Sequence, residues 1–323
     1  TIDAYTQFFT GYNLLGAKVE NISRVSSFFE DELILGSYIC KISPLVLSLF
    51  FIEEIKNKKI LYLFLITIFF LNLITIIISG ERSALFLYFI LCSYLFIFLR
   101  IELKIKIYFL FILVIFLISF LATNKNNYNR IVDQTFFEIF GKSTKQLEYY
   151  NLDEIFVEDY EKKNCRLQKV KSDDCKSNVK IFFFSPTHHN FILTSLRIFE
   201  DHKFFGSGPK SFRELCKYDK YSINHYSCAT HPHNYYIQLM SETGIFGFIF
   251  LIIFYIYFIF LLIKVLRSKS IEINQKNFFI IILGGMFINF FPIVPTGNFF
   301  NNWLSILSYF PIVYLINDRI FKK

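Results

Sequence analysis

The chain has 323 residues, of which 54% are hydrophobic and 20% aromatic, and its mean hydropathy is +0.43. A balance so far to the apolar side excludes an ordinary soluble domain and points to a protein that lives in a bilayer. The net charge of +8 gathers largely in short connections between apolar runs, and no basic–aromatic RNA-binding module is present. Nucleic acid is therefore set aside as a partner in favour of membrane lipids or a pyrophosphate.

Thr1–Leu33 comes first, a polar and aromatic outer segment. It has no secretory signal pattern and starts at Thr1 rather than Met, which suggests an N-terminally incomplete piece. Seven apolar runs then follow the pattern of membrane helices. They are Leu35–Ile52, Ile60–Ser79, Ser83–Leu99, Ile107–Thr123, Gly244–Val265, Phe278–Pro295 and Trp303–Ile316. The connections at Glu53–Lys59, Arg100–Lys106 and Lys264–Asn277 are basic, as is the tail Arg319–Lys323. Gly80–Arg82 and Gly297–Asn302 are nearly uncharged. The positive-inside rule puts the basic set in the cytoplasm and the long segment Asn124–His233 outside. The expected organisation is thus all-α, a polytopic membrane helix bundle with a large outer loop. Residues 1–123 form the N-terminal membrane part, 124–233 the loop with short helices, and 234–323 the C-terminal membrane part.

Within the loop, Cys165 and Cys175 bracket a charged stretch, and Cys216 and Cys228 lie close together. Two local pairs in an exported loop read as disulfides; free thiols are the alternative. Asn190–Asp201 places Phe191, Leu193, Leu196 and Phe199 near helical spacing around Arg197, which suits a short helix on the membrane interface. Phe205-Gly206-Ser207-Gly208-Pro209 must be a tight turn.

Three residues stand out for chemistry. Arg82 belongs to Gly80–Ser83, a connection so short that its guanidinium either snorkels at the boundary, pairs with Glu81 or clamps a phosphate. Arg197, shortly before the Gly206–Gly208 turn, is either solvated or a second phosphate ligand. His233 stands at the expected start of a helix, where unsatisfied N–H groups and the dipole favour an anion and a neutral imidazole. Such a histidine caps a helix or acts as a general base. Asn234, Tyr235, Tyr236 and Glu242 are candidates for holding a substrate. The spacing of His225, Cys228, His231 and His233 is compatible with zinc, but Cys216 offers Cys228 a disulfide partner and Pro232 stiffens the backbone. No metal or cofactor is expected. His188-His189, read as extended, point apart and carry little weight.

The stretch His233-Asn234, nine residues to Thr243, Gly244, two residues and Gly247 resembles the hallmark of the O-antigen ligase and O-antigen polymerase superfamily of bacterial membrane glycosyltransferases. Arg197 with Gly206-Ser207-Gly208 resembles the family's loop arginine and Gly-x-Gly turn, and Arg82 in Gly-Glu-Arg-Ser its other essential arginine. The segment Arg24–Tyr38 resembles the stretch before a helix in some polymerase-like members. The resemblance implies a metal-independent transferase of the GT-C kind in the inner membrane, facing the periplasm. Its donor would be a glycan on undecaprenyl pyrophosphate. Its acceptor would be lipid A-core, a growing lipid-linked glycan or a protein. Arg82 and Arg197 would bind the pyrophosphate, Gly206, Gly208, Asn234 and Tyr236 would line the substrate site, and His233 would deprotonate, or orient, the acceptor hydroxyl. A different class, a transporter or flippase of lipid-linked sugars, calls for inverted repeats and interrupted helices. The sequence shows neither clearly.

Overall fold

In a computed structural model, the described residues are 1–19, 24–52, 57–135, 186–223 and 227–316. Among them the regular structure is helical, with a lone antiparallel bridge between Tyr12 and Lys18. The chain is thus an all-α membrane helix bundle. The proposed Cys165–Cys175 pair and His225 lie outside the described residues.

Helix α1 (Ile2–Thr10) precedes four apolar helices: α2 (Leu35–Leu49), α3 (Lys58–Ile78), α4 (Arg82–Phe98) and α5 (Leu103–Thr123). A short α6 (Lys125–Tyr128) leads into one π-helical turn, Asn129–Asp133. Then come α7 (Pro186–Asp201), α8 (Phe212–Leu215), α9 (Tyr235–Arg267), α10 (Ile273–Asn289), α11 (Asn302–Tyr309) and α12 (Ile312–Ile316).

Of the seven expected spans, Lys59–Ile78, Leu103–Thr123 and Tyr235–Arg267 are long and apolar enough to cross a bilayer. Leu35–Leu49, Arg82–Phe98 and Ser305–Leu315 are shorter apolar helices. The run Phe278–Pro295 ends as a helix at Asn289, because Pro292 and Pro295 lack the N–H groups that would continue it. The last run is broken near Pro311 for the same reason.

The core forms where α2, α3, α4, α9 and α10 meet. The α2–α10 contact is close: a Cβ on Gly285 would lie 2.9 Å from the Pro44 ring. Glycine at such a contact lets two helix backbones approach. By contrast α5 buries only Leu113 and exposes Leu110, Phe111, Ile112, Val114, Ile115 and Ile118. A helix apolar on every side is a lipid-facing helix.

Two ends can be told apart. At one, the backbone of Arg100 exchanges hydrogen bonds with the Asn277 amide, at 2.7 and 3.2 Å, so two basic connections meet. At the other, Val25 N–H donates to the Ile78 carbonyl and Arg130 Nε to the Gly80 carbonyl. This second end also carries α7, α8 and the residues singled out for chemistry.

Candidate active site at one end of the bundle

His233 is held by the elements around it. Asn234 caps α9, its Oδ1 accepting from the N–H groups of Tyr236 and Ile237 at 3.0 and 3.1 Å. The Asn234 amide donates to the Pro292 carbonyl at 2.8 Å, and the Tyr236 hydroxyl to the Phe290 carbonyl at 2.8 Å. Both side chains therefore tie α9 to the segment after α10. The His233 carbonyl accepts from Thr296 N–H at 2.8 Å. With φ of 57°, His233 occupies the left-handed region, uncommon for a side-chain-bearing residue and a frequent mark of functional sites.

Three imidazoles converge here. The His233 ring lies 4.0 Å from that of His231 and 5.3 Å from that of His188, and it stacks on Phe191 at 5.5 Å. Burial holds His233 down to about 4, with His188 adding to the effect. Burial likewise lowers His231 to about 3, followed by His233, against a Thr296 carbonyl contact that raises it. His188 is lowered to about 4 by burial, then by the charge of Arg82. Desolvation is the largest cause at each of the three rings and favours their neutral form. Because Pro186–Asp201 is helical rather than extended, His188 turns into the site, which the sequence reading missed.

Arg82, at the first position of α4, is therefore within electrostatic reach of His188. The buried Glu81 beside it accepts from the N–H of Ser37 and Gly36 and from the Ser37 hydroxyl. Burial raises the Glu81 carboxyl, against those hydrogen bonds and the charge of Arg24. Arg24, which begins the segment Arg24–Tyr38 but has no chemical role in the sequence reading, feels both Glu81 and Arg82 and donates to the Leu33 carbonyl. Arg197 stands apart from this group, nine positions beyond His188 on α7, or about 13 Å at 1.5 Å per residue. Its Nη1 donates to the Ser222 carbonyl at 2.7 Å.

The face α7 buries is Asn190, Phe191, Thr194, Ser195 and Ile198. Leu193, Leu196 and Phe199, expected on the membrane interface, are only half-buried. Small polar groups let α7 pack on α9 and leave the apolar stripe at the periphery.

The first glycine of the motif shapes α9 itself. At Gly244 (φ 72°, ψ −165°) α9 breaks. The Gly206–Gly208 turn docks into the break: Ser207 and Gly208 N–H donate to the Ser241 and Glu242 carbonyls, and Ile245 N–H to the Lys203 carbonyl. A Cβ on Gly206 would lie 2.3 Å from the Glu242 backbone, and one on Gly244 2.1 Å from the Phe204 carbonyl oxygen. Glu242, fully buried, accepts from Lys210 N–H, Phe212 N–H and the Gln238 amide at 2.9–3.0 Å. It anchors the turn, a sharper role than the substrate contact considered from sequence. A disulfide joins Cys216 to Cys228, so that sulfur is unavailable to a metal, and closes the loop leading to His231 and His233.

Fold and site together define a polytopic membrane protein with a cluster of histidines beside Arg82 at one end of its bundle. Residues 188–252 match the family described as O-antigen ligase, a stretch that runs from His188 through both glycine motifs. This match supports the O-antigen ligase and polymerase superfamily and, with it, a glycosyltransferase role of that type. No curated protein matches the chain.

Proposed function

We propose that this chain is a periplasm-facing, inverting glycosyltransferase of the inner membrane. It moves a glycan from undecaprenyl pyrophosphate to a lipid A-core or glycan acceptor. The observation that carries this reading is the half-buried His233 ring, packed against His188 and His231, with the charge of Arg82 acting on His188. In the displacement, the acceptor oxygen attacks the anomeric carbon and its proton passes to a ring nitrogen of His233. The bond from that carbon to the diphosphate oxygen breaks, and its electron pair leaves with the diphosphate. Attack from the opposite side inverts the centre. Arg82, with Arg197 from the far end of α7, neutralises the leaving charge, work that arginine forks do without a metal.

A resting value of about 4 makes His233 a weak base. A diphosphate bound beside it stabilises the imidazolium and raises that value, so donor binding activates the base. Purified full-length protein, given an undecaprenyl-pyrophosphate-linked glycan with EDTA present, should transfer it. His233→Ala should lose transfer by at least a hundredfold. Transfer that depends on added divalent metal contradicts the metal-independent part of the reading.

A further inference from the structure

Lys41 lies in the middle of α2, six positions below its outer end, yet it is only 7% exposed. A lysine that merely snorkels to the interface keeps its head in water. Lys41 instead turns inward: its Nζ is 3.3 Å from the Tyr235 hydroxyl and 5.6 Å from the centre of that ring. No carboxylate among the described residues pairs with it. Glu81, further out, is committed to Gly36 and Ser37. Ionisable side chains at membrane depth are costly and generally face a partner or a pathway.

Tyr235 follows His233 by two residues, so Lys41 comes up to the site from beneath. A second observation belongs to the same level. Asn289 on α10 is 2% exposed, and neither its amide nitrogen nor its amide oxygen has a hydrogen-bond partner. Gly285 touches Pro44, and one turn outward along the antiparallel pair brings Asn289 to the level of Cys40 and Lys41. A buried amide left without partners costs stability unless something else engages it.

We infer that Lys41, the Tyr235 hydroxyl and the Asn289 amide form a phosphate-binding subsite of the membrane interior. It takes a phosphate of a polyprenyl diphosphate, on the side of His233 away from the outer loop. Three donors of different kinds suit a phosphate oxygen, and the depth suits a phosphate whose lipid tail continues into the bilayer. The inference rests on the glycosyltransferase reading for the identity of the lipid.

The test is binding to full-length protein in nanodiscs, with undecaprenyl diphosphate, undecaprenol and phosphatidylglycerol as probes. Wild-type protein should prefer the diphosphate to the alcohol. Lys41→Met should weaken diphosphate binding about tenfold, the scale of one lost charge-assisted contact, and leave undecaprenol binding unchanged. Tyr235→Phe, which removes only a hydroxyl, should weaken it about threefold and carries the test should Lys41→Met not fold. Unchanged diphosphate affinity in the folded variants overturns the subsite, as does phosphatidylglycerol competing equally with the diphosphate. Glycan transfer measured alongside separates the two ideas. Lys41-dependent binding without transfer by wild type would leave the subsite and remove the enzyme, and the reverse pattern would do the opposite.

Discussion

At the scale of single residues, protonation is the property most open to measurement. His188, His231 and His233 are all held below the ordinary histidine value by burial, to about 4, 3 and 4. As pH falls below about 6.5, the unfolded chain takes up protons that the folded chain refuses. Their contribution to stability is complete above that pH and is lost as pH falls toward 4. Thermal unfolding in detergent should show Tm declining through this window, and His188→Phe should flatten the decline; an unaltered decline counts against the desolvated cluster. For transfer, kcat/KM for the donor, which reports the free enzyme, should hold steady from pH 8 down to about 5, whereas kcat should begin to fall at a higher pH because the bound diphosphate raises the His233 value. His233 and Arg82 could be picked out from sequence because a spacing motif and a very short connection isolate them. His188 could not, since its direction depends on a helix whose face is chosen by Thr194 and Ser195. Lys41 was equally hidden, because one basic residue in an apolar run does not reveal whether it faces lipid or protein.

At the scale of elements, the junction between the Gly206–Gly208 turn and the break in α9 organises the site. Gly206→Ala and Gly244→Ala meet backbone atoms at 2.3 and 2.1 Å and sit at positive φ, so each should cost several kcal/mol and abolish transfer. Gly208, at φ 104° with open space around it, should tolerate alanine better. Equal Tm losses at Gly206 and Gly208 would contradict this docking. Glu242→Ala strands two N–H groups and an amide, and a drop of about 2–4 kcal/mol is expected; Glu242→Gln should recover part of it. Reducing the Cys216–Cys228 bond frees a segment spanning 12 positions and should cost about 2–3 kcal/mol, visible as a lower Tm with dithiothreitol. The sequence announced the turn and the helix start. It did not announce that the glycine at position 244 ends a helix, because a glycine amid apolar residues suits a packing contact equally well.

At the scale of the whole molecule, the apolar runs and helical class were legible because hydropathy is a property of long windows. Helix ends were less so, since Pro292, Pro295 and Pro311 end or interrupt helices inside apolar sequence. The orientation proposed from the basic connections puts the Arg100–Asn277 end in the cytoplasm. With native cysteines blocked, a cysteine placed at Lys104 should resist a membrane-impermeant maleimide in intact cells, whereas one placed at Lys210 should react. The opposite pattern would turn the active site to the cytoplasm and remove the proposed donor.

The most direct test of the account is transfer by purified full-length protein from an undecaprenyl-pyrophosphate-linked glycan, in EDTA, with His233→Ala and Arg82→Ala beside it. The account predicts transfer by wild type, loss of at least a hundredfold in both variants, and wild-type-like Tm for each. Undiminished transfer by folded His233→Ala would contradict it.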